Sequence, residues 1–361
     1  MQQINSEQRI LQFPEQLVRK DLQGLSAYSA AKPPNTVTKI KLNANESPFP
    51  VNLNSFPEVN RYPKASSINS IRAKLAPYLG LREEQIFLSR GSGEGIDLIC
   101  RIFCEAREDA VVVSSPSFSL YENYARIQGA EVFKYQTDEL DDFYICPKQL
   151  IAKMPTQTKI IFLCSPNNPT GQSIREEDLL FLLEHTKGTS MVLVDEAYIE
   201  FSKYPSFSRM LDKFPNLIVL RTFSKAWSLA GLRMGCILAH PQLIIFLDKI
   251  KAPYAFSSPS LDTFVNYLDQ DWETRLNVFI THNKQEREGL LERLNKIPVI
   301  EKVFPSDANF IMCKVKDARK IEESLTTKGI LVRVVSNRYL RLTIGTKEEN
   351  HILCEALIRL R

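Results

Sequence analysis

Four polar stretches of this chain carry residue types that could do chemistry together. Arg90-Gly91-Ser92-Gly93-Glu94-Gly95 opens a segment of helical periodicity, where backbone N–H groups and the helix dipole favour an anion. Ser165-Pro166-Asn167-Asn168-Pro169-Thr170-Gly171 follows an apolar run, and so does Asp195-Glu196-Ala197-Tyr198. A third apolar run leads into Arg221-Thr222-Phe223-Ser224-Lys225, with Gly231-Leu232-Arg233-Met234-Gly235 close behind. Singly, each has a plain structural reading. The glycines could be turn chemistry, Asp195 a cap on a following helix, and Lys225 a solvated surface lysine. An acid at the end of a buried strand is nevertheless costly unless a cation or hydrogen bonds meet it. Jointly, an anion cradle, a strand-end acid, a lysine and an arginine are the parts that hold pyridoxal phosphate. The lysine forms a Schiff base, the acid keeps the pyridine nitrogen protonated, and the loop and arginine take the phosphate.

Residues that far apart need a scaffold that gathers strand ends. From about residue 68 the chain alternates helical patterns (68–79, 95–104, 120–128, 176–186) with short apolar runs. The runs at 85–89, 110–114, 131–135, 159–164, 191–194, 217–220 and 235–239 read as strands. Continuous apolar strands between helices indicate a mostly parallel central sheet covered on both faces, with ligands beyond the carboxyl ends. After Lys251 the pattern loosens into one long helix over about 260–295, strands at 309–315, 330–334 and 340–344, and a helix over about 347–360. Residues 1–45 read as an arm with a helical pattern at 6–17 and a Pro33-Pro34 connection. The expected organisation is α/β: the arm, a large domain over 46–255, and a smaller α+β domain over 256–361.

Composition narrows the classes. The 361 residues are 44% hydrophobic and 24% charged, an ordinary globular balance that excludes a disordered or fibrous chain. Lys and Arg number 46 against 42 Asp and Glu, interleaved as in Glu286-Arg287-Glu288, which gives nucleic acid no basic face. Seven cysteines without framework spacing indicate reduced thiols, and four scattered histidines supply no metal site. Neither a leader pattern nor a run of about 18 apolar residues is present, so a cytoplasmic protein with no membrane association is expected. Glycine is scarce: 13 residues, about half the usual roughly 7%. Seven of the 13 (Gly91, Gly93, Gly95, Gly171, Gly231, Gly235, Gly345) are expected at the proposed site.

Asn168-Pro169-Thr170-Gly171, Asp195-Glu196-Ala197-Tyr198 and Ser224-Lys225 with Gly231–Gly235 resemble the fold-type I aminotransferases of the aspartate aminotransferase superfamily. More narrowly, Leu42-Asn43-Ala44-Asn45-Glu46, Arg61-Tyr62-Pro63, residues 165–171 and 195–201, and Leu340-Arg341-Leu342-Thr343-Ile344-Gly345 resemble the histidinol-phosphate aminotransferase family. The likeness runs from about residue 20 to the C-terminus. It implies that Lys225 holds pyridoxal 5'-phosphate and, once released, moves the substrate's Cα proton. It further implies that Asp195 pairs with the ring nitrogen while Asn168 and Tyr198 bond the ring hydroxyl. Phe118, where many relatives carry Tyr, stacks on the ring. Ser92, Gly93, Thr222, Ser224 and Arg233 take the phosphate, and Tyr62 reaches the phosphate of the neighbouring subunit in a homodimer.

For substrates the resemblance implies Arg341 on the α-carboxylate of glutamate and Arg333 on the phosphate of histidinol phosphate, with Asn43 at the same site and Tyr28 reaching across from the other subunit. The implied reaction exchanges the amino group of histidinol phosphate with 2-oxoglutarate, in histidine biosynthesis. An aromatic amino-acid aminotransferase and a phosphothreonine decarboxylase share much of this text. Two readings outside the class are disfavoured. A nicotinamide-dependent dehydrogenase would need a G-x-G-x-x-G turn after a strand, and a non-catalytic module would not need Lys225, Asp195, Asn168 and Arg233 together.

Overall fold

Val111-Val112-Val113 and Ile160-Ile161-Phe162 offer apolar side chains to both faces of a strand, so they belong in the middle of a covered sheet. In the computed structural model, which describes residues 40–43, 45, 48 and 65–360, that is where they lie. Strand β1 (Ile40–Lys41) precedes α1 (Ala65–Leu79). The alternating part begins with β2 (Ile86–Ser89), α2 (Gly91–Phe103), β3 (Ala110–Ser115), α3 (Leu120–Gln128) and β4 (Glu131–Gln136). It continues through α4 (Pro147–Lys153), β5 (Thr158–Cys164), α5 (Glu176–His185), β6 (Met191–Asp195), β7 (Leu217–Thr222) and β8 (Gly235–Ala239). Then come α6 (Pro241–Ile250), α7 (Ser258–Leu268), α8 (Trp272–Leu294), β9 (Ile300–Val303) and β10 (Phe310–Val315). The chain closes with α9 (Ala318–Thr326), β11 (Ile330–Leu331), β12 (Arg333–Ser336), β13 (Tyr339–Thr343) and α10 (Lys347–Ile358).

Seven strands form the large sheet in the order β2-β8-β7-β6-β5-β3-β4. Strands β3 to β7 run parallel, whereas β8 is antiparallel to both neighbours, β7 and β2. Ile161, Leu163, Val194 and Val219 fill one face, and Ile160, Phe162, Leu193 and Leu220 the other. The chain leaves β3 for β4 on one side and returns to β5 on the other. The strand order therefore reverses between β3 and β5, which opens a crevice beyond their carboxyl ends. A second, antiparallel sheet, β12-β13-β10-β9, shares a core with α8, α9 and α10 through Leu290, Ile321, Ile311, Leu342 and Leu353.

Several expectations need correction. The single helix over 260–295 is two, α7 and α8, divided at Asp269-Gln270-Asp271, where Trp272 packs on Trp227 with ring centroids 4.6 Å apart. The strand over 330–334 also divides: β11 pairs parallel with β1, and β12 joins β13 in the other sheet. Helix α2 starts at Gly91 rather than Gly95, directly behind the buried strand β2. Helices α4, α6 and α9 and strand β9 were not expected; each is 10 residues or shorter. The helical pattern at 6–17 lies outside the described residues. No disulfide links the seven cysteines, and among the described residues no helix is long and apolar enough to cross a membrane.

One glycine shows how tightly the strand ends are joined. A Cβ on Gly235 would stand 2.7 Å from the Arg221 carbonyl oxygen and 2.9 Å from Gly91 Cα, both backbone atoms. Gly235→Ala is therefore expected to cost about 1–3 kcal/mol by overpacking, read as a lower urea midpoint of the cofactor-free protein.

Candidate active site

The ends of β3, β5, β6 and β7, the first turn of α2, and β12 and β13 from the second sheet surround one cavity of about 600 Å³. It is lined by Asn43, Ser92, Gly93, Phe118, Asn168, Asp195, Tyr198, Thr222, Ser224, Lys225, Arg233, Arg333 and Arg341. These are the site residues expected from the sequence, except Tyr28 and Tyr62, which lie outside the described residues.

Asp195 ends β6 and is 2% exposed. Its Oδ2 accepts a hydrogen bond from the Tyr121 hydroxyl at 2.9 Å, and its Oδ1 accepts from the Ala197 N–H at 3.1 Å. Burial pushes the carboxyl up to about 6, although both hydrogen bonds and the charge of Lys225 pull the other way. The protein alone thus under-compensates this acid. A protonated ring nitrogen meeting it would supply the missing charge.

The anion cradle is built from backbone. Gly91, Ser92 and Gly93 are the first turn of α2, and no side-chain hydrogen bond from Arg90 caps it. Arg233, held at a left-handed φ of 57°, donates from Nη1 to the Ala230 carbonyl oxygen at 3.2 Å. Its Nη2 lies 3.0 Å from where a Cβ on Gly91 would be, so a glycine there lets the guanidinium approach the helix start. Thr222 and Ser224 add hydroxyls, with Thr222 Oγ1 donating to Ser224 Oγ at 3.0 Å. N–H donors at a helix start, two hydroxyls and one guanidinium suit a phosphate monoester. Together with Lys225 and the under-compensated acid, the donor set fits pyridoxal phosphate.

The glycine expectation holds only in part. Gly91, Gly93 and Gly231 line the cavity. Gly95 packs on Leu220 and Ile237, Gly171 on Ser306, Gly235 on Gly91, and Gly345 on Glu349, so these serve packing.

Tyr198 is buried with its ring edge-on to Phe310 at 5.0 Å, and Lys225 Nζ lies 5.9 Å from the Tyr198 ring centroid. Burial raises its phenol, while the charge of Arg341 acts in the opposite sense. Arg341 Nη1 donates to Asn168 Oδ1 at 2.6 Å and Nη2 to the Asn43 carbonyl oxygen at 3.2 Å. Arg333 stands directly opposite Arg341 across β12 and β13, and its charge also acts on Glu322 of α9. Two guanidinium groups thus share one face above the cavity. Arg338 pairs with Glu301 on the surface.

Tyr121 was missed. Its signal was its place three residues after Phe118 at the start of α3, where the ring meets Phe118 edge-on at 5.7 Å and stacks on Phe162 at 5.1 Å. Ser117 was missed too. Its hydroxyl donates to Asn167 Oδ1 at 3.0 Å and ties the loop after β3 to the loop after β5.

The sequence matches the family described as aminotransferase class I and II over residues 23–357. It is 38% identical over 354 residues to the histidinol-phosphate aminotransferase of Francisella philomiragia, covering 97% of this chain and 96% of that one. Identity to the histidinol-phosphate aminotransferase of Flavobacterium psychrophilum is 37% over 349 residues, covering 94% and 97%. The fold is similar to that of the histidinol-phosphate aminotransferase from Sinorhizobium meliloti in complex with pyridoxal-5'-phosphate. There the TM-score is 0.80 at 22% identity, over 97% of this chain and 98% of that one.

Because the folded-state value of Asp195 lies above its ordinary 3.8, the folded chain keeps a proton that the unfolded chain has already lost between pH about 4 and about 6. Stability of the cofactor-free protein therefore falls as pH rises through that window, by about 3 kcal/mol from this group. Asp195→Asn is expected to remove that share, leaving the contribution of Glu196, whose carboxyl burial pushes up to about 7. The same change should cost about 100-fold in kcat, the worth of a charge-assisted bond. Urea midpoints from pH 4 to 8 beside steady-state rates check both.

Proposed function

This chain belongs to the class I and II aminotransferases, with the fold-type I α/β architecture and pyridoxal 5'-phosphate as cofactor, and on that premise we propose that it moves the amino group between histidinol phosphate and 2-oxoglutarate. The observation that carries this substrate choice is the facing pair Arg333 and Arg341 above the cavity. Two separate guanidinium forks suit an enzyme that must accept a carboxylate in one half-reaction and a phosphate monoester in the other. Relatives of that name, alike along nearly the whole chain, support the same reading.

When bound, pyridoxal phosphate supplies the electron sink that makes the substrate Cα proton labile. Lys225 Nζ is the group that takes and returns that proton. It is placed by the turn from Phe223 to Leu229, closed by the Leu229 N–H donating to the Phe223 carbonyl oxygen at 3.0 Å. Asp195, steadied by Tyr121, would keep the ring nitrogen protonated. Tyr198 and Asn168 would hold the ring hydroxyl, and Phe118 would cover one ring face. Ser92, Gly93, Thr222, Ser224 and Arg233 would anchor the phosphate. Arg341 takes the carboxylate of glutamate beside Asn43, exchanging its present acceptors for the substrate oxygens. Arg333 takes the phosphate of histidinol phosphate.

The working assembly in this proposal is a cytoplasmic homodimer in which Tyr62 and Tyr28 serve the neighbouring subunit's site. Its chain divides into the arm 1–45, a cofactor domain 46–255 and a small domain 256–361.

The expected order of amino donors, by rate of the cofactor's colour change, is histidinol phosphate well ahead of phenylalanine, tyrosine and phosphothreonine. A faster reaction with either aromatic amino acid would falsify the substrate choice. Arg333→Ala should lower kcat/KM for histidinol phosphate by about 10–100-fold, the value of a bond to a charged group, and leave glutamate within about threefold. Equal losses on both substrates would contradict the assigned role.

A further inference from the structure

Behind the cavity, on the other face of the same two strands, three charged side chains are closed off from water. Asp195 and Leu220 are paired across β6 and β7 and turn toward the site face. Glu196, whose N–H donates to the Leu220 carbonyl oxygen at 2.9 Å, and Arg221 turn the opposite way. Arg221 Nη2 donates to Glu200 Oε1 at 2.7 Å, and Nη1 lies 3.7 Å from Glu196 Oε2. The side chains of Arg221, Glu196 and Glu200 are 8%, 0% and 3% exposed.

Neighbouring loops are drawn into this cluster. Trp227 Nε1 donates to Glu200 Oε1 at 3.1 Å, while the Ser206 hydroxyl and the Phe207 N–H donate to Glu196 at 2.6 and 2.7 Å. Trp272 stacks on Trp227, and Tyr78 stands edge-on to both at about 5 Å, which seals the group.

Stability does not account for such a cluster. Two carboxylates share one guanidinium, and among the described residues neither Glu200 Oε2 nor Arg221 Nε has a hydrogen-bond partner. Buried ion pairs of this kind are often matched or bettered by apolar residues of the same volume. Sequence adjacency supplies the reason to keep it. Glu196 follows Asp195, Arg221 precedes Thr222, Glu200 lies two residues beyond Tyr198, and Trp227 two beyond Lys225.

We propose that Arg221, with Glu196 and Glu200, is a positioning unit of the cofactor site, an ionic clasp that locks the ends of β6 and β7, the turn at 199–201 and the lysine loop against one another. Asp195, Tyr198 and Thr222 then keep their mutual geometry because each sits within two residues of a member of the clasp, and Lys225 because it lies two residues before Trp227, which donates to Glu200. The proposal rests on the assignment of those four residues to the cofactor, and not on the identity of the amino donor.

The test uses Glu200→Gln, which keeps shape and removes one charge, with Arg221→Met and Arg221→Lys. Three quantities are read: the cofactor dissociation constant, the pH midpoint of the bound cofactor's visible absorbance, and the melting temperature of the cofactor-free protein. Glu200→Gln is expected to weaken cofactor binding about tenfold, as loss of a supporting partner does elsewhere, and to move the absorbance midpoint by about 0.5 pH unit or more. Arg221→Lys should lie nearer to wild type than Arg221→Met. A lowered melting temperature with unchanged dissociation constant and midpoint would overturn the proposal, because a purely structural cluster behaves that way. If Arg221→Met does not fold, Glu200→Gln and Trp227→Phe carry the same decision. Wild-type protein that binds pyridoxal phosphate without a lysine-dependent colour would instead sink the site assignment, which keeps the two failures apart.

Discussion

A carboxyl group sealed from water at the end of β6 is the constraint around which this molecule is arranged. Asp195 is fully enclosed, and burial outweighs its two hydrogen bonds and the nearby lysine, so its carboxyl stays up at about 6. A fold that only needed a strand end there would do better with an apolar residue. The cost becomes useful when a protonated ring nitrogen faces the acid, because the ion pair then forms in a place where water cannot weaken it. Tyr121, stacked on Phe162 and donating to Oδ2, holds the carboxylate in place.

The remaining architecture follows from delivering partners to that acid. The parallel strands β3, β5, β6 and β7 place four loops on one rim, and the reversal of order between β3 and β5 opens the crevice there. Antiparallel β8, pinned by Gly235 against Gly91, brings Arg233 back to the start of α2. The second sheet contributes Arg333 and Arg341 from facing positions, so in the proposed function substrate recognition would come from a separate layer than cofactor binding. Polar groups on the far side of the sheet, Arg221 with Glu196 and Glu200, join the loops from behind.

Much of this was legible in the sequence because the chemistry is local in the chain. Asn168-Pro169-Thr170-Gly171, Asp195-Glu196-Ala197-Tyr198 and Ser224-Lys225 each follow an apolar strand directly, so strand and site residue could be read together. What escaped depends on contacts between distant segments. Tyr121 gives no sign that its hydroxyl meets an acid 74 positions later. Arg221 was read only as the first polar residue after an apolar run, and its partners come from a turn and a loop that no periodicity announces. The break at Asp269-Gln270-Asp271 falls where Trp272 packs on Trp227, inside a continuous helical pattern that does not mark it. The scarcity of glycine pointed partly to the cavity and partly to tight packing around it, and only geometry separates the two.

The protonation state of the cofactor's ring nitrogen tests the central constraint most directly. Holoenzyme prepared with pyridoxal phosphate labelled with ¹⁵N in the ring reports it by NMR at pH 8. The expected result is a protonated nitrogen in the wild type and an unprotonated one in Asp195→Asn. An unprotonated nitrogen in the wild type would contradict the pairing with Asp195 on which this reading of the site depends.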